Sequence, residues 1–436
     1  MRRLTSTLIL VVVFAGLAGY YFYTANQPPA DTDAKEKAFT VKADDIEEVQ
    51  IKLADGDASK VQKADGRWQI VEPVKADADT GELSSITQTL STLDIQRVVD
   101  ENAGDLKRYG LEPARIDVGF RAKGEKDVRR VLLGEKSPTG SELYAMIPGQ
   151  KKVFLVNSFL DSTFNKNTFA LRDKAILKID RDKVDALEIT DGKTTLEFTR
   201  KGTDWSMSKP IAVRGDYGAI EGAVQRLGSA QMQGIVEQDG GDLAKYGLDK
   251  PTATISAVSG SSRATLILGK TDNALVFAKD QSRGMIFTVA PTIRTDLFKE
   301  VGEYRRKDLF DARSFTANRF EFRRGSETLV FEKKKDKDGK ETWQNSAGKA
   351  VDSMKMEELL SKVTGMRAQS FESGTNPSLN MPALTVVATF DEKKMETVTV
   401  ARSGTDVFAR RADEPGSAKL EAMSLDDVTK ALDAVK

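Results

Sequence analysis

Cysteine and histidine are both absent from this 436-residue chain. Without thiols there is no disulfide, no thiolate nucleophile and no cysteine to carry a lipid. Without imidazole there is no triad or dyad that uses it as base, and losing both removes the common zinc ligand sets. Net charge is missing too: 66 Lys and Arg are cancelled by 66 Asp and Glu. The basic excess through which proteins neutralise nucleic-acid phosphates is therefore not present, and no nucleic-acid partner is expected. Long apolar runs are lacking, with one exception. At 39% hydrophobic and 30% charged residues, the composition fits a globular chain of about three domains and excludes a disordered or multi-span one.

The exception is the amino terminus. After Met1-Arg2-Arg3, an uncharged stretch runs from Leu4 to Tyr23. As a helix rising about 1.5 Å per residue it would span about 30 Å, the thickness of a bilayer's hydrocarbon core. Arg2 and Arg3 precede the run and Asp31 and Asp33 follow it, an asymmetry that holds the amino terminus in the cytoplasm and exports the remainder. Tyr20-Tyr21-Phe22-Tyr23 would then lie at the far interface. A cleaved signal peptide is the competing reading, because Gly16-Leu17-Ala18 offers small residues to a peptidase. The four aromatics that lengthen the run favour the uncleaved anchor. The expectation is an anchor over 1–24 and a flexible tether over 25–38, where Pro, Asp, Lys and Glu follow one another without apolar periodicity.

The exported body repeats itself. Arg67-Trp68-Gln69-Ile70-Val71-Glu72-Pro73 matches Asp204-Trp205-Ser206-Met207-Ser208-Lys209-Pro210 at an offset of 137. Without a gap, the same offset brings Gly104-Asp105-Leu106-Lys107-Arg108-Tyr109-Gly110-Leu111 onto Gly241-Asp242-Leu243-Ala244-Lys245-Tyr246-Gly247-Leu248. Leu132-Leu133-Gly134 is answered by Ile267-Leu268-Gly269, and a worn third copy begins near Phe315, with Trp343 in the place of Trp205. A period this long gives each unit its own core, so these are tandem domains. The expected units are 39–178, 179–313 and a divergent 314–436. In each, alternating strands lead to the Trp strand and Pro73 or its equivalent stops the sheet. A helix starting near Asp79 then carries Leu83, Ile86, Leu90 and Leu93 on one face, with Asp79 and Glu82 as a capping box. Four more strands and a closing helix follow. The fold class is α+β: three mainly antiparallel sheets with packed helices, behind a single transmembrane helix.

Each candidate site has a structural explanation. In Asp-x-x-x-Tyr-Gly-Leu, Asp105 or Asp242 caps one helical turn, the Gly ends it in the left-handed region and the Leu packs back; Tyr109 and Tyr246 would be ligand contacts only on the rival reading. The third copy loses this motif over Ser373 to Pro382. Trp68, Trp205 and Trp343 read as one large core ring per domain, with a sugar-stacking platform as the alternative. The clusters Arg172-Asp173-Lys174 and Arg305-Arg306-Lys307-Asp308 read as cations at a helix carboxyl end, or else as pins between domains.

Gly192-Lys193-Thr194 and Gly269-Lys270-Thr271 lack the upstream glycine of a phosphate loop, holding Leu187 and Ala264 there instead, so no nucleotide is expected. Ser206-Met207-Ser208-Lys209 matches Ser-x-x-Lys but sits in the Trp strand. Asp239 and Asp242 do not single themselves out as an acid/base pair, and lysines interrupt the acids of Lys335-Asp336-Lys337-Asp338-Gly339-Lys340, which reads as a hairpin tip and not a calcium loop. No catalytic, cofactor-binding or metal-binding residue is nominated, and no enzyme is expected.

The Trp-x-x-x-x-Pro strand, the Tyr-Gly-Leu-x-x-Pro turn, the Leu-Gly turn and the Leu171-Arg172-Asp173-Lys174 close resemble a bacterial family catalogued as domain of unknown function 4340. The resemblance covers the first two units well and the third loosely. It implies a membrane-anchored periplasmic protein encoded beside the permease, ATPase and gliding-motility-type auxiliary subunits of an ABC transport system. An accessory or scaffold role in the bacterial inner membrane is therefore expected, with those subunits as partners. A receptor that holds a glycan or another envelope polymer between domains is the alternative.

Overall fold

A computed structural model describes residues 36–335, 339–391 and 393–436. The expected anchor over 1–24 and most of the tether lie outside them. Among the described residues no helix is long and apolar enough to cross a membrane. The tether's last residues are already structured: Lys37 bridges Asp94, and the Ala38 N–H donates to the Leu93 carbonyl at 2.8 Å.

The chain divides into two compact units, the first ending at Asp173 and the second running from Lys174 to Lys436. The first holds a nine-stranded sheet built from β1 (Ile46–Leu53), β2 (Ala58–Ala64), β3 (Arg67–Glu72), β4 (Ala76–Asp77), β5 (Arg97–Asp100), β6 (Ile116–Ala122), β7 (Arg129–Lys136), β8 (Glu142–Met146) and β9 (Val153–Asn157). Their order is β4-β3-β2-β1-β6-β7-β8-β9-β5. Helix α1 (Thr80–Ser91) leaves one edge strand and hands the chain to the opposite edge. One face of the sheet is thereby covered, with Leu83, Ile86 and Leu90 buried in the main core. A short helix, α2 (Leu160–Phe164), adds Leu160 and Phe164 to the same core.

The second unit holds two sheets. The first of them comprises β10 (Ala186–Thr190), β11 (Thr195–Lys201), β12 (Asp204–Lys209), β13 (Val213–Arg214), β14 (Met232–Glu237), β15 (Ala253–Ser259), β16 (Ser262–Asp272), β17 (Leu275–Asp280) and β18 (Ile286–Val289). The order β13-β12-β11-β10-β15-β16-β17-β18-β14 repeats that of the first unit strand for strand. Its helices are α3 (Tyr217–Ser229), α4 (Thr292–Leu297) and α5 (Val301–Tyr304).

The other sheet has eight strands: β19 (Ala317–Arg324), β20 (Glu327–Lys335), β21 (Glu341–Asn345), β22 (Ser370–Glu372), β23 (Leu384–Phe390), β24 (Lys394–Ser403), β25 (Asp406–Arg411) and β26 (Ser417–Leu420). In the order β21-β20-β19-β23-β24-β25-β26-β22 it lacks only the short strand that β4 and β13 provide. Helices α6 (Ser353–Thr364) and α7 (Ser424–Val435) bury Met356, Leu359, Leu360, Val428 and Leu432 against it. Neighbouring strands pair antiparallel throughout, so the architecture is α+β with mostly antiparallel sheets and repeated domains.

Several sequence expectations need correction. Pro73 and Pro210 do not stop their sheets; both follow cis peptide bonds, and the chain returns as β4 or β13 to pair with the Trp strand. Two residues of pairing carry too little periodicity to be read in advance, and β5, four residues with alternate ones exposed, was missed for the same reason. The capping box is half made. Asp79 accepts from the Gly81 and Glu82 N–H groups, but Glu82 turns away to pair with Lys166 at 2.8 Å.

Candidate functional site

In all three sheets the Trp strand places its indole directly across from a cation. Lys63, Arg200 and Lys333 pair in register with Trp68, Trp205 and Trp343, and each cation lies over its ring at 5.9, 5.6 and 5.3 Å from the centroid. Trp68 and Trp205 are buried, as expected of core rings. Trp205 is also clamped: its indole N–H donates to Glu221 on α3 at 2.8 Å, and Arg200 reaches the same carboxylate at 3.2 Å.

Trp343 packs against its core as well, its ring centre 6.2 Å from that of Phe320, but is less enclosed than the other two. It is half-buried and borders an open cleft of about 330 Å³, with Phe315, Lys333, Glu341, Glu357 and Leu360 on the walls. Glu357 stands where α3 has Glu221, yet neither it nor the Trp343 indole N–H makes a hydrogen bond among the described residues. Phe315 is 79% exposed at the rim. The cleft thus combines two aromatic faces with an ammonium and two carboxylates.

The Tyr-Gly-Leu turns largely behave as the capping argument expects. Asp242 caps its 3-10 turn by accepting from the Ala244 N–H, while Asp105 stands one residue before the cap position, Leu106, and accepts from the Lys107 N–H. Gly110 and Gly247 close the turns at φ of 66° and 68°. The tyrosines face inward: Tyr109 donates to Asp100 at 3.3 Å and Tyr246 to Glu237 at 2.5 Å, and both rings are buried in a small cluster separate from the main core. Burial pushes the Tyr109 phenol above its ordinary pKa.

What lets these turns lie on the sheet is the Leu-Gly pair, which is not a turn. Gly134 and Gly269 sit inside β7 and β16 beside register shifts, and a Cβ on either would stand 2.0 or 2.2 Å from the Tyr109 or Tyr246 carbonyl. The third copy loses the motif but keeps the turn. Asn376 caps a 3-10 turn over Pro377–Asn380, and Leu379 packs with Ala401 and Phe408. Ala401 stands where the other sheets have glycine, and the β24–β25 register runs on without a shift.

The arginine clusters take part in the sheets through their main chain, and Arg305 directly follows α5. Their backbone forms one more rung outside the short edge strand, through Ala78–Arg172 and Gly215–Arg305 bridges. Arg305 is 5% exposed and reaches from the second sheet's domain to Glu414 of the third, which is the rival pin reading. Its Nη2 donates to Glu414 Oε2 at 2.8 Å, and its guanidinium lies 4.1 Å from the centre of the Phe371 ring. Arg214 donates through Nε to the other carboxylate oxygen at 2.7 Å and through Nη1 to Asp311 at 2.7 Å.

A second buried pair lies alongside, Arg411 to Glu396 at 2.7 Å, and it grips the connecting segment directly. Glu396 accepts from the Asp311 and Ala312 N–H groups while Arg411 donates to the Leu309 carbonyl. Burial works against the Arg411 charge, but Asp413 and Glu396 outweigh it and hold the guanidinium above its ordinary range. Arg283, paired with Asp280 at 2.9 Å, does the same for the segment entering this unit by donating to the Ala175 and Ile176 carbonyls. Sequence reading missed Glu396, Arg411 and Glu414 because nothing local marks them among so many acids and bases.

The remaining motifs make local contacts. Asp191 accepts from the Lys193 and Thr194 N–H groups in a hairpin turn, and Lys270 donates to the Ala244 and Lys245 carbonyls. Lys209 pairs with Glu197, and Ser206 with Thr199. The hairpin tip after Lys335 is flanked by paired strands, with 336–338 outside the described residues. Among the described residues no group of three acids could hold a metal ion.

A family model described as a domain of unknown function (DUF4340) matches residues 68–217 and again residues 205–384, and the chain belongs to that family. No curated protein matches it. Among solved structures it is compared with the DNA polymerase III subunit beta of Pseudomonas aeruginosa at 9% identity, covering 86% of this chain and 92% of that one, with a TM-score of 0.16. The same clamp bound to griselimycin gives 9% identity, 88% and 93% coverage and a TM-score of 0.16. Likeness at that level carries no argument about fold or function.

Proposed function

We propose that this protein is a non-enzymatic scaffold of the bacterial envelope. In this reading Leu4–Tyr23 anchors it in the inner membrane, and three tandem repeats over 39–178, 179–313 and 314–436 stand in the periplasm as an accessory of an ABC-type transport system. The observation that carries the reading is the buried ion network of the second unit. Arg214, Arg305 and Arg411 are spent on holding two sheets and their connecting segment in one geometry. Buried pairs of this kind add little net stability but oppose rearrangement, because any movement strands a charge. Rigidity over a long surface is what a scaffold needs. Purification in mild detergent at native expression should bring permease and auxiliary subunits with the protein; recovery of the protein alone overturns the reading.

A second reading, a saccharide receptor, is favoured by the Trp343 cleft, where aromatic faces and free carboxylates suit stacked, hydroxyl-rich rings. Titration with oligosaccharides read through tryptophan fluorescence tests it, since Trp68 and Trp205 are buried. A flat response in the wild type removes this reading.

A further inference from the structure

The edge beyond the Trp strand is finished in two sheets and unfinished in the third. In the first, the Asp79 N–H donates to the Leu171 carbonyl at 2.9 Å, and the Asp173 N–H donates to the Asp77 carbonyl at 2.9 Å. In the second, Asp216 donates to the Tyr304 carbonyl at 2.7 Å and Arg306 to the Arg214 carbonyl at 2.9 Å. One triplet, Leu171-Arg172-Asp173 or Tyr304-Arg305-Arg306, thus leaves a turn or the end of α5 and docks antiparallel on the edge, with its first side chain fully buried and its middle residue bridging Ala78 or Gly215.

The third sheet has the same receiving end. The Val351 N–H donates to the Trp343 carbonyl at 3.0 Å, as Ala78 does to Trp68 and Gly215 to Trp205, and Asp352 caps α6 as Asp79 and Asp216 cap α1 and α3. Ala350, Val351 and Asp352 therefore correspond to Asp77, Ala78 and Asp79. Yet no triplet arrives: the Ala350 carbonyl and the Asp352 N–H make no hydrogen bond among the described residues. Val351 is half-buried where Ala78 and Gly215 are buried. Beside it Met354, 80% exposed, replaces Gly81 and Gly218 and adds an apolar side chain to the rim. A main-chain acceptor and donor left open on a bridged edge, beside exposed apolar surface, form a short template for an incoming segment.

We propose that this edge, Ala350 to Asp352, receives an extended segment of a partner protein, docked antiparallel through two main-chain hydrogen bonds. Its sequence follows the triplets already seated on the other two sheets: a large apolar residue, then arginine, then a polar residue. The inference goes beyond the scaffold reading and is independent of it, because docking requires only the edge and not a transport role.

The test uses the full-length protein and a synthetic peptide of its own residues 168–176, Thr-Phe-Ala-Leu-Arg-Asp-Lys-Ala-Ile, with hydrogen exchange at the Asp352 amide as readout. At about nine times its Kd the peptide should slow exchange of that amide about tenfold. The same peptide N-methylated at the Asp173 position, which cannot donate to the Ala350 carbonyl, should leave it unchanged, as should the Leu171→Asp peptide. No protection by the native peptide, or equal protection by the N-methylated one, overturns the proposal. So does concentration-dependent dimerisation of the protein alone that protects the same amide, because the occupant is then a second copy.

Discussion

The second and third sheets share a Trp strand in the same register, with a cation across from it and a glutamate on the covering helix, yet they use these groups differently. In the second sheet Glu221 draws Trp205 and Arg200 together and the surface closes. In the third, Glu357 leaves Trp343 alone and a cleft opens. A repeated position on a strand therefore fixes which way a side chain points, by the alternation of the pleat, but not what it meets. The same contrast recurs at the sheet edge, completed in one and bare in the other.

The sharpest way to break the comparison is to uncouple the two sheets. Glu414→Ala leaves Arg214 and Arg305 without their shared carboxylate, and should destabilise the second unit by about 3–5 kcal/mol in chemical denaturation. Glu414→Gln should recover part of that. Next comes the glycine contact. Gly269→Ala places a methyl group against the Tyr246 carbonyl and should cost about 1–3 kcal/mol. In the third sheet Ala401→Gly, where no such contact exists, should cost about 0.5–1 kcal/mol.

In the first unit Glu48 provides a pH test. Burial opposes its ionisation, but hydrogen bonds from Arg121, Gln62 and Gln50 and the charge of Lys60 outweigh it and hold the carboxyl at about 2. A pKa lowered by folding means stability that is fully present above the unfolded value of about 4.5 and lost as pH falls toward 2. Melts of Glu48→Gln should lie below wild type at neutral pH and converge with it across that window. The smallest effect sharpens the opening contrast. Glu221→Ala should cost about 1 kcal/mol by freeing the Trp205 N–H, while Glu357→Ala should change stability by less than about 0.5 kcal/mol.

Much of the fold was legible. The offset of 137 carried Trp68 onto Trp205 and Tyr109 onto Tyr246, and these side chains do take equivalent places in sheets of equal strand order. Asp79, Asp216 and Asp352 were readable as caps because a helix start needs a local acceptor. Gly134 and Gly269 were read as turn residues when their role is to admit a carbonyl from elsewhere in the chain. Ser373 to Pro382 lost its letters but kept its turn, since Asn376 caps as aspartate does and Leu379 fills as tyrosine does.

By itself, then, the amino-acid sequence determined the repeated unit, the alternation of its strands, the caps of its helices and its membership of a family, all of which rest on neighbours within a few residues or on a fixed period. Tertiary structure alone decided that Arg305 meets Glu414 across about a hundred residues, that the arginine clusters finish a sheet edge, and that Trp343 stands beside open space. Charge and register are local properties of a chain; whether a charge finds its partner, or an edge its strand, depends on which distant segments packing brings together.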